Sequence, residues 1–135
     1  MKRNSGFSLV ELMIVIVIIG VLAAVAVPIY SNNVMKAKMS EADAALGSIR
    51  TQLRVYYGEN GDYPVAGSGS AVVAVATTWN DINEGELTGK YFNDASYTYY
   101  GYAAGDSFQI TCAKGDIMEE DRVLDQSGNL TGGTN

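Results

Sequence analysis

Residues 12–29 are apolar without interruption, and a carboxylate, Glu11, stands at their head. At 1.5 Å per residue, a helix over that run is about 27 Å long, close to the hydrocarbon thickness of a bilayer. The run is therefore long enough to cross a membrane. A charge inside such a segment costs roughly 2.5 kcal/mol or more on insertion scales, which makes Glu11 the first candidate functional residue. Lys2 and Arg3 precede the run with no acidic residue to offset them. The positive-inside rule then puts the N-terminus in the cytoplasm and everything after Tyr30 outside.

A basic start followed by an apolar stretch also describes a cleaved secretory signal, and Ala23-Ala24-Val25-Ala26 offers small residues of the right kind. Against that reading, the stretch is long and carries Glu11 near its start. A plain single-span anchor fits the length but leaves Glu11 unexplained.

Lys2-Arg3-Asn4-Ser5-Gly6 followed by Phe7-Ser8-Leu9-Val10-Glu11-Leu12-Met13-Ile14-Val15 resembles the class III leader junction of type IV pilins and type II secretion pseudopilins. The resemblance is close over residues 1–35 and architectural beyond them. It implies that a membrane-embedded prepilin peptidase cuts after Gly6 on the cytoplasmic side and methylates the new amine on Phe7. It also implies that the apolar segment is kept, and that the Glu11 carboxylate of one subunit pairs with the Phe7 amine of a neighbour during assembly. A glycine at position 6 suits a peptidase that must close around an extended backbone, because glycine has no Cβ.

Within the run, Gly20 and Ala24 form a small-xxx-small pair that lets helices approach closely in lipid. Pro28 lacks a backbone donor and clashes with the carbonyl of Ala24, so a kink or local melting is expected between Gly20 and Pro28. In pilins, the resemblance implies, the helix loses helicity here in the filament.

Met35, Met39, Ala42, Leu46, Ile49, Leu53 and Tyr56 recur at spacings of three and four, flanked by Lys36, Lys38, Glu41, Asp43, Arg50 and Arg54. That is one apolar stripe on one helix, suited to a coiled coil or to covering a sheet, and the residues downstream supply a sheet. Together with the span it makes a helix of roughly 75 Å that ends near Tyr57 or Gly58, where Gly58, Gly61 and Pro64 stop it.

The remainder is small and should lean on that helix for its core. Gly67-Ser68-Gly69-Ser70 reads as a flexible loop, and without a preceding strand or a third glycine it is no phosphate site. Residues 71–76 suit a short strand or a buried helical turn, and Trp79 a buried aromatic within a loop. Residues 96–103 and 108–113 alternate around a turn at Gly105-Asp106 and predict a hairpin; a third strand follows at residues 122–125, with a turn and a short return at Leu130. The expected fold is α+β, a long N-terminal helix on a three- to four-stranded antiparallel sheet. Its parts are a leader (1–6), a transmembrane or filament-core helix (7–30), an amphipathic continuation (31–58) and a loop-and-sheet domain (59–135).

The tyrosines at 91, 97, 99, 100 and 102 suit sheet packing and subunit contact, or a stacked electron path along a filament. No histidine is present, which excludes a Ser-His-Asp triad, a Cys-His dyad and a His-based zinc site. Cys112 is alone and can close no intramolecular disulfide, although many type IV pilins close a C-terminal loop with two cysteines. Calcium, which takes six to eight oxygens, is one way to hold this terminus; Asp116, Glu119, Glu120, Asp121 and Asp125 crowd the last loop, and a solvated acidic loop is the other reading. No other cofactor is expected.

The net charge is −6, and removal of Lys2 and Arg3 takes it to −8, which disfavours nucleic-acid binding by the subunit alone. Asn129-Leu130-Thr131 is a formal glycosylation sequon. The expected function is that of a non-enzymatic prepilin that assembles with copies of itself into a helical filament. Its partners are the peptidase, an inner-membrane platform protein and an assembly ATPase. It resides in the bacterial inner membrane before assembly and outside the cell afterwards. The major pseudopilin of a secretion system, in the periplasm, is the alternative, and an enzyme or receptor on a single anchor has no candidate active site behind it.

Overall fold

The computed structural model describes residues 5–73 and 81–133. The chain divides into two compact units, Met1–Val34 and Met35–Asn135. Helix α1, Leu9–Asn60, has 52 residues and contributes to both.

In the first unit, every side chain from residue 12 to residue 29 is exposed. Among the described residues this is the one helix long and apolar enough to cross a membrane. α1 is unbroken through Gly20 and Pro28, so the melting expected between them is absent from the isolated chain. A proline removes a single bond from the ladder, and the cooperative run of flanking bonds carries the helix across that gap.

The second unit begins with the rest of α1. Ala42, Leu46, Ile49 and Leu53 are fully buried, with Met39 and Tyr56 packed beside them. The stripe is the one expected from the sequence, and it covers a sheet. The helix runs slightly past its expected end, to Asn60, where Gly61 turns left-handed (φ +84°) and donates to the Tyr57 carbonyl at 2.8 Å.

The sheet is a five-stranded antiparallel meander in which every strand pairs with its neighbour in sequence. Its strands are β1 (Ala66–Ala71), β2 (Tyr97–Gly101), β3 (Phe108–Cys112), β4 (Arg122–Asp125) and β5 (Leu130–Thr131). Tyr97 pairs with Cys112, Tyr99 with Ile110, Gly101 with Phe108 and Leu124 with Ile110, so the large apolar side chains share the face that forms one core with the α1 stripe. Burial alternates strictly along β2 and β3, as a sheet with one covered face requires.

The fifth strand is β1, where the sequence suggests a flexible loop. Tyr99 Oη donates to the Pro64 carbonyl at 2.6 Å and draws the segment onto β2, while Ser70 Oγ closes it internally on the Gly67 carbonyl. The register shifts between Ala66 and Ser70, with Gly69 at φ +80°. Glycine and serine serve here as a bulged edge strand, which is how sheet edges are commonly blunted. Ala71 ends β1 and Val72 is buried. The rest of the 71–76 expectation beyond Val73, and Trp79, lie outside the described residues.

Gly101 is the tightest point of this arrangement, because a Cβ there would meet the Pro64 carbonyl oxygen and the Tyr99 hydroxyl. Gly101→Ala should therefore unseat β1 at a cost of about 1–3 kcal/mol. Gly67→Ala, where a Cβ would meet nothing within 4 Å, should be near neutral. Thermal unfolding of both variants by circular dichroism checks the contrast.

Candidate assembly site at the start of the long helix

Ser8-Leu9-Val10-Glu11 is a capping box. The Ser8 backbone N–H donates to Glu11 Oε2 at 2.7 Å, and the Glu11 N–H donates back to Ser8 Oγ at 3.2 Å. Two amides that the first helical turn leaves without partners are thereby satisfied, and the carboxylate lies at the positive end of the helix dipole. The S-x-x-E signature for this box is present in the sequence, yet a reading of Glu11 as an isolated charge in lipid misses Ser8.

Gly6 and Phe7 precede the helix, and Phe7 is 86% exposed. A Cβ on Gly6 would meet nothing within 4 Å. The fold itself does not demand glycine at position 6. Phe7, Glu11, Leu12, Ile14 and Val15 line a shallow, largely apolar concavity in which the Glu11 carboxylate is the charged group.

Three polar ties hold the second unit, and the sequence reading missed all three. Glu41 Oε1 accepts from the N–H groups of Tyr91 and Phe92 at 2.9 and 3.0 Å, and Oε2 accepts from Lys90 N at 3.1 Å. Burial pushes the Glu41 carboxyl up, but the three amides and the nearby Lys90 outweigh it and hold the group below its ordinary value. Arg122 grips Asp43 through two nitrogens, Nε at 2.7 Å and Nη2 at 3.1 Å, and gives Nη1 to the Gly132 carbonyl at 2.7 Å. Arg50 donates through Nε and Nη2 to the Gln126 carbonyl. These contacts, with Glu120 N donating to Gly133 O at 3.0 Å, tie down the C-terminal segment that has no disulfide. Gly132 must be glycine, since its φ is +77° and a Cβ would strike the Asp121 carbonyl. Charged flanks of a helical stripe look solvated in a sequence; only the fold puts a backbone nest opposite Glu41 or a guanidinium opposite Asp43.

The calcium candidates do not converge. Asp121 Oδ1 accepts from Lys114 N and Asp125 Oδ1 from Asn129 N, while Asp116 and Glu119 are exposed. No group of three potential ligands comes together among the described residues.

The tyrosines likewise separate. Tyr97 and Tyr99 are buried in the core, the Tyr100 and Tyr102 rings are 4.6 Å apart and tilted by 60°, and Tyr91 has the ammonium groups of Lys38 and Lys90 over its ring. A continuous aromatic row instead joins Tyr57, Tyr63, Phe108 and Tyr99 at 4.6, 4.7 and 6.1 Å, packing within one subunit. Cys112 is buried and its thiol is pushed up to about 12 by that burial, so it stays protonated at neutral pH.

Residues 1–27 match the family model of the prokaryotic N-terminal methylation motif. Fimbrial protein EcpC of Eikenella corrodens is 39% identical over 108 residues, 80% of this chain and 61% of that protein. A fimbrial protein of Neisseria meningitidis serogroup B is 40% identical over 88 residues, 65% of this chain and 46% of its own length. Type II secretion system core protein G of Dickeya chrysanthemi is 40% identical over 78 residues, 57% of this chain and 51% of that protein. The chain spans about half the length of the curated relatives it matches. No solved structure matches it. A leader-junction motif on an exposed apolar helix, continued by an amphipathic helix over an antiparallel sheet, defines a pilin-like subunit. The chain is similar to type IV pilins and to a type II secretion core protein, and its first 27 residues carry the prokaryotic N-terminal methylation motif.

Two stability outcomes follow from the ties. Asp43→Ala leaves a partly buried guanidinium with one partner and should cost about 1–3 kcal/mol in chemical denaturation. Because the Glu41 carboxyl is held below 4.5 in the folded state, its contribution is complete above the unfolded value and lost as pH falls through the folded one. Wild type should therefore melt higher than Glu41→Gln at pH 7, and the gap should narrow as the pH falls below 4.5 and through the lowered folded value.

Proposed function

We propose that this chain is a prepilin, cut after Gly6, methylated on Phe7 and assembled through residues 7–30 into a helical type IV pilus-like filament. The observation that carries the reading is the exposed apolar helix with a carboxylate at its capped start, four residues beyond an unstructured Gly6-Phe7 bond inside the matched methylation motif. Before assembly the span sits in the inner membrane with the N-terminus cytoplasmic. Assembly covers it with the spans of neighbouring subunits, replacing lipid contacts by helix packing in which Gly20 and Ala24 allow close approach. In that packed state, an unwound stretch between Gly20 and Pro28 would have protein neighbours to satisfy its carbonyls.

Cleavage supplies the charge that Glu11 lacks. Oε2 is engaged by Ser8 N, and the new Phe7 amine of a neighbour pairs with the same carboxylate. At about 4 Å and an effective dielectric near 20, such a pair gains on the order of 4 kcal/mol before desolvation, enough to select one docked register over sliding in lipid. Peptidase, platform protein and assembly ATPase are separate partners, and the subunit catalyses nothing. The 114–125 loop acts as a solvated acidic loop; its melting curve should be unchanged by calcium or chelator.

The alternative, a major pseudopilin acting in the periplasm, is favoured by one observation, the lone Cys112 where a C-terminal disulfide is common among pilins. The two readings separate by imaging: long sheared surface fibres support the pilus, and their absence in cells carrying a secretion machine supports the pseudopilus.

Gly6→Val should accumulate as uncut precursor in the membrane, seen by mobility on a gel. Glu11→Gln should be cut normally yet yield few filaments. Peptide sequencing of wild-type filaments should give an N-methylated Phe7 start. Wild-type filament levels in Glu11→Gln cells would refute the pairing.

A further inference from the structure

Copies of a chain with net charge −6, or −8 after processing, repel one another when packed side by side. A filament of such subunits has to place its few free cations where neighbours meet. Of the cations in the second unit, Lys36 and Arg54 are exposed singly along α1, Arg50 and Arg122 are spent on Gln126, Asp43 and Gly132, and Lys114 Nζ reaches the Glu119 carbonyl at 3.4 Å. Lys38 and Lys90 are different. Both place Nζ over the ring of Tyr91, at 5.6 and 5.2 Å from its centre, and neither lies within ion-pair distance of a carboxylate among the described residues. Glu41, on the same helix, is committed to the backbone amides of residues 90–92 and ties the segment that carries Lys90 and Tyr91 to α1.

The opposite charge sits on the other flank of the helix. Glu41 and Asp43 are two residues apart on α1, so their side chains leave it about 200° apart. Asp43 holds Arg122 and with it the end of the 113–121 loop, where Asp116, Glu119 and Glu120 are exposed. That loop is also fixed, by Lys114 N on Asp121 Oδ1 and by Glu120 N on Gly133 O. The basic patch is thus anchored beside Glu41 and the acidic loop beside Asp43. No ion pair joins them within the subunit among the described residues, and an adjacent subunit can supply one.

We infer that the Lys38–Tyr91–Lys90 patch docks the acidic 113–121 loop of a second copy of this chain, a head-to-tail contact that repeats along the assembly. The inference rests on the filament reading above and names its globular contact. A heterologous interface of this kind propagates helically instead of closing into a dimer. Exposed charge pairs set register and association rate more than affinity, and they weaken with salt on the scale of a Debye length of about 10 Å at 0.1 M.

The test is a charge swap in full-length chain expressed with its assembly machinery, read as sheared filament yield against total membrane-held subunit. Lys38→Glu with Lys90→Glu should lower the yield by at least about threefold, and Glu119→Lys with Glu120→Lys likewise. All four changes together should restore it to within about twofold of wild type, which also shows that the reversed subunits fold. The milder Lys38→Gln with Lys90→Gln filaments should dissociate at lower salt than wild type. Wild-type yield from either reversed pair, or a four-fold variant no better than its parents, overturns the docking. If wild-type cells make no filaments at all, the filament reading fails first, and the two failures are thus distinguishable.

Discussion

The controlling constraint is the two-part surface of α1. Its first half is apolar all round and exposed, and its second half is apolar along a single stripe that is fully buried. At roughly 25 cal/mol per Å² of apolar area, the stripe is stabilised within the subunit, whereas the first half gains nothing until lipid or other copies cover it. The globular unit therefore folds on its half of the helix without needing the other. The sheet exists to cover Ala42, Leu46, Ile49 and Leu53, and its inward residues, Tyr97, Tyr99, Phe108, Ile110 and Leu124, are matched to that task.

With one cysteine, the C-terminal segment is secured by side chains from the helix. Asp43 and Arg50 reach β4, the following turn and Gly132, while Glu41 reaches the 90–92 segment on the other side. Three charged residues within three turns of one helix thus hold backbone segments on both sides of it. This distributes among several partly exposed contacts a restraint that a disulfide would concentrate in one bond, while the hold on the 90–92 segment depends on pH through Glu41.

Periodic features were legible in advance. The α1 stripe, the β2–β3 hairpin, β4 and the return at Leu130 follow from spacings of three to four and of two, which depend only on which residues face inward. β1 was not legible, because Gly67-Ser68-Gly69-Ser70 carries no inward pattern and becomes a strand only through Tyr99 and Pro64, 35 residues apart in sequence. Long-range polar contacts such as Arg122 with Asp43, 79 residues apart, are invisible to local periodicity for the same reason. At the N-terminus, Glu11 stands out as a charge at the head of the apolar run, and Gly6 and Phe7 lie inside the matched methylation motif, but the hydrogen bonds of Ser8 depend on geometry. The acidic residues 116–125 drew attention by composition alone, and the fold spends two of them on backbone amides.

The strand order β1-β2-β3-β4-β5 contains no crossover. Each strand has its partner immediately behind it in the chain, and the helix that supplies the core comes first. Construction can thus proceed in the order of synthesis, one hairpin added to a surface that is already present, with no unpaired central strand waiting for a late arrival. Such sequential closure limits the time during which the apolar strands are open to wrong partners.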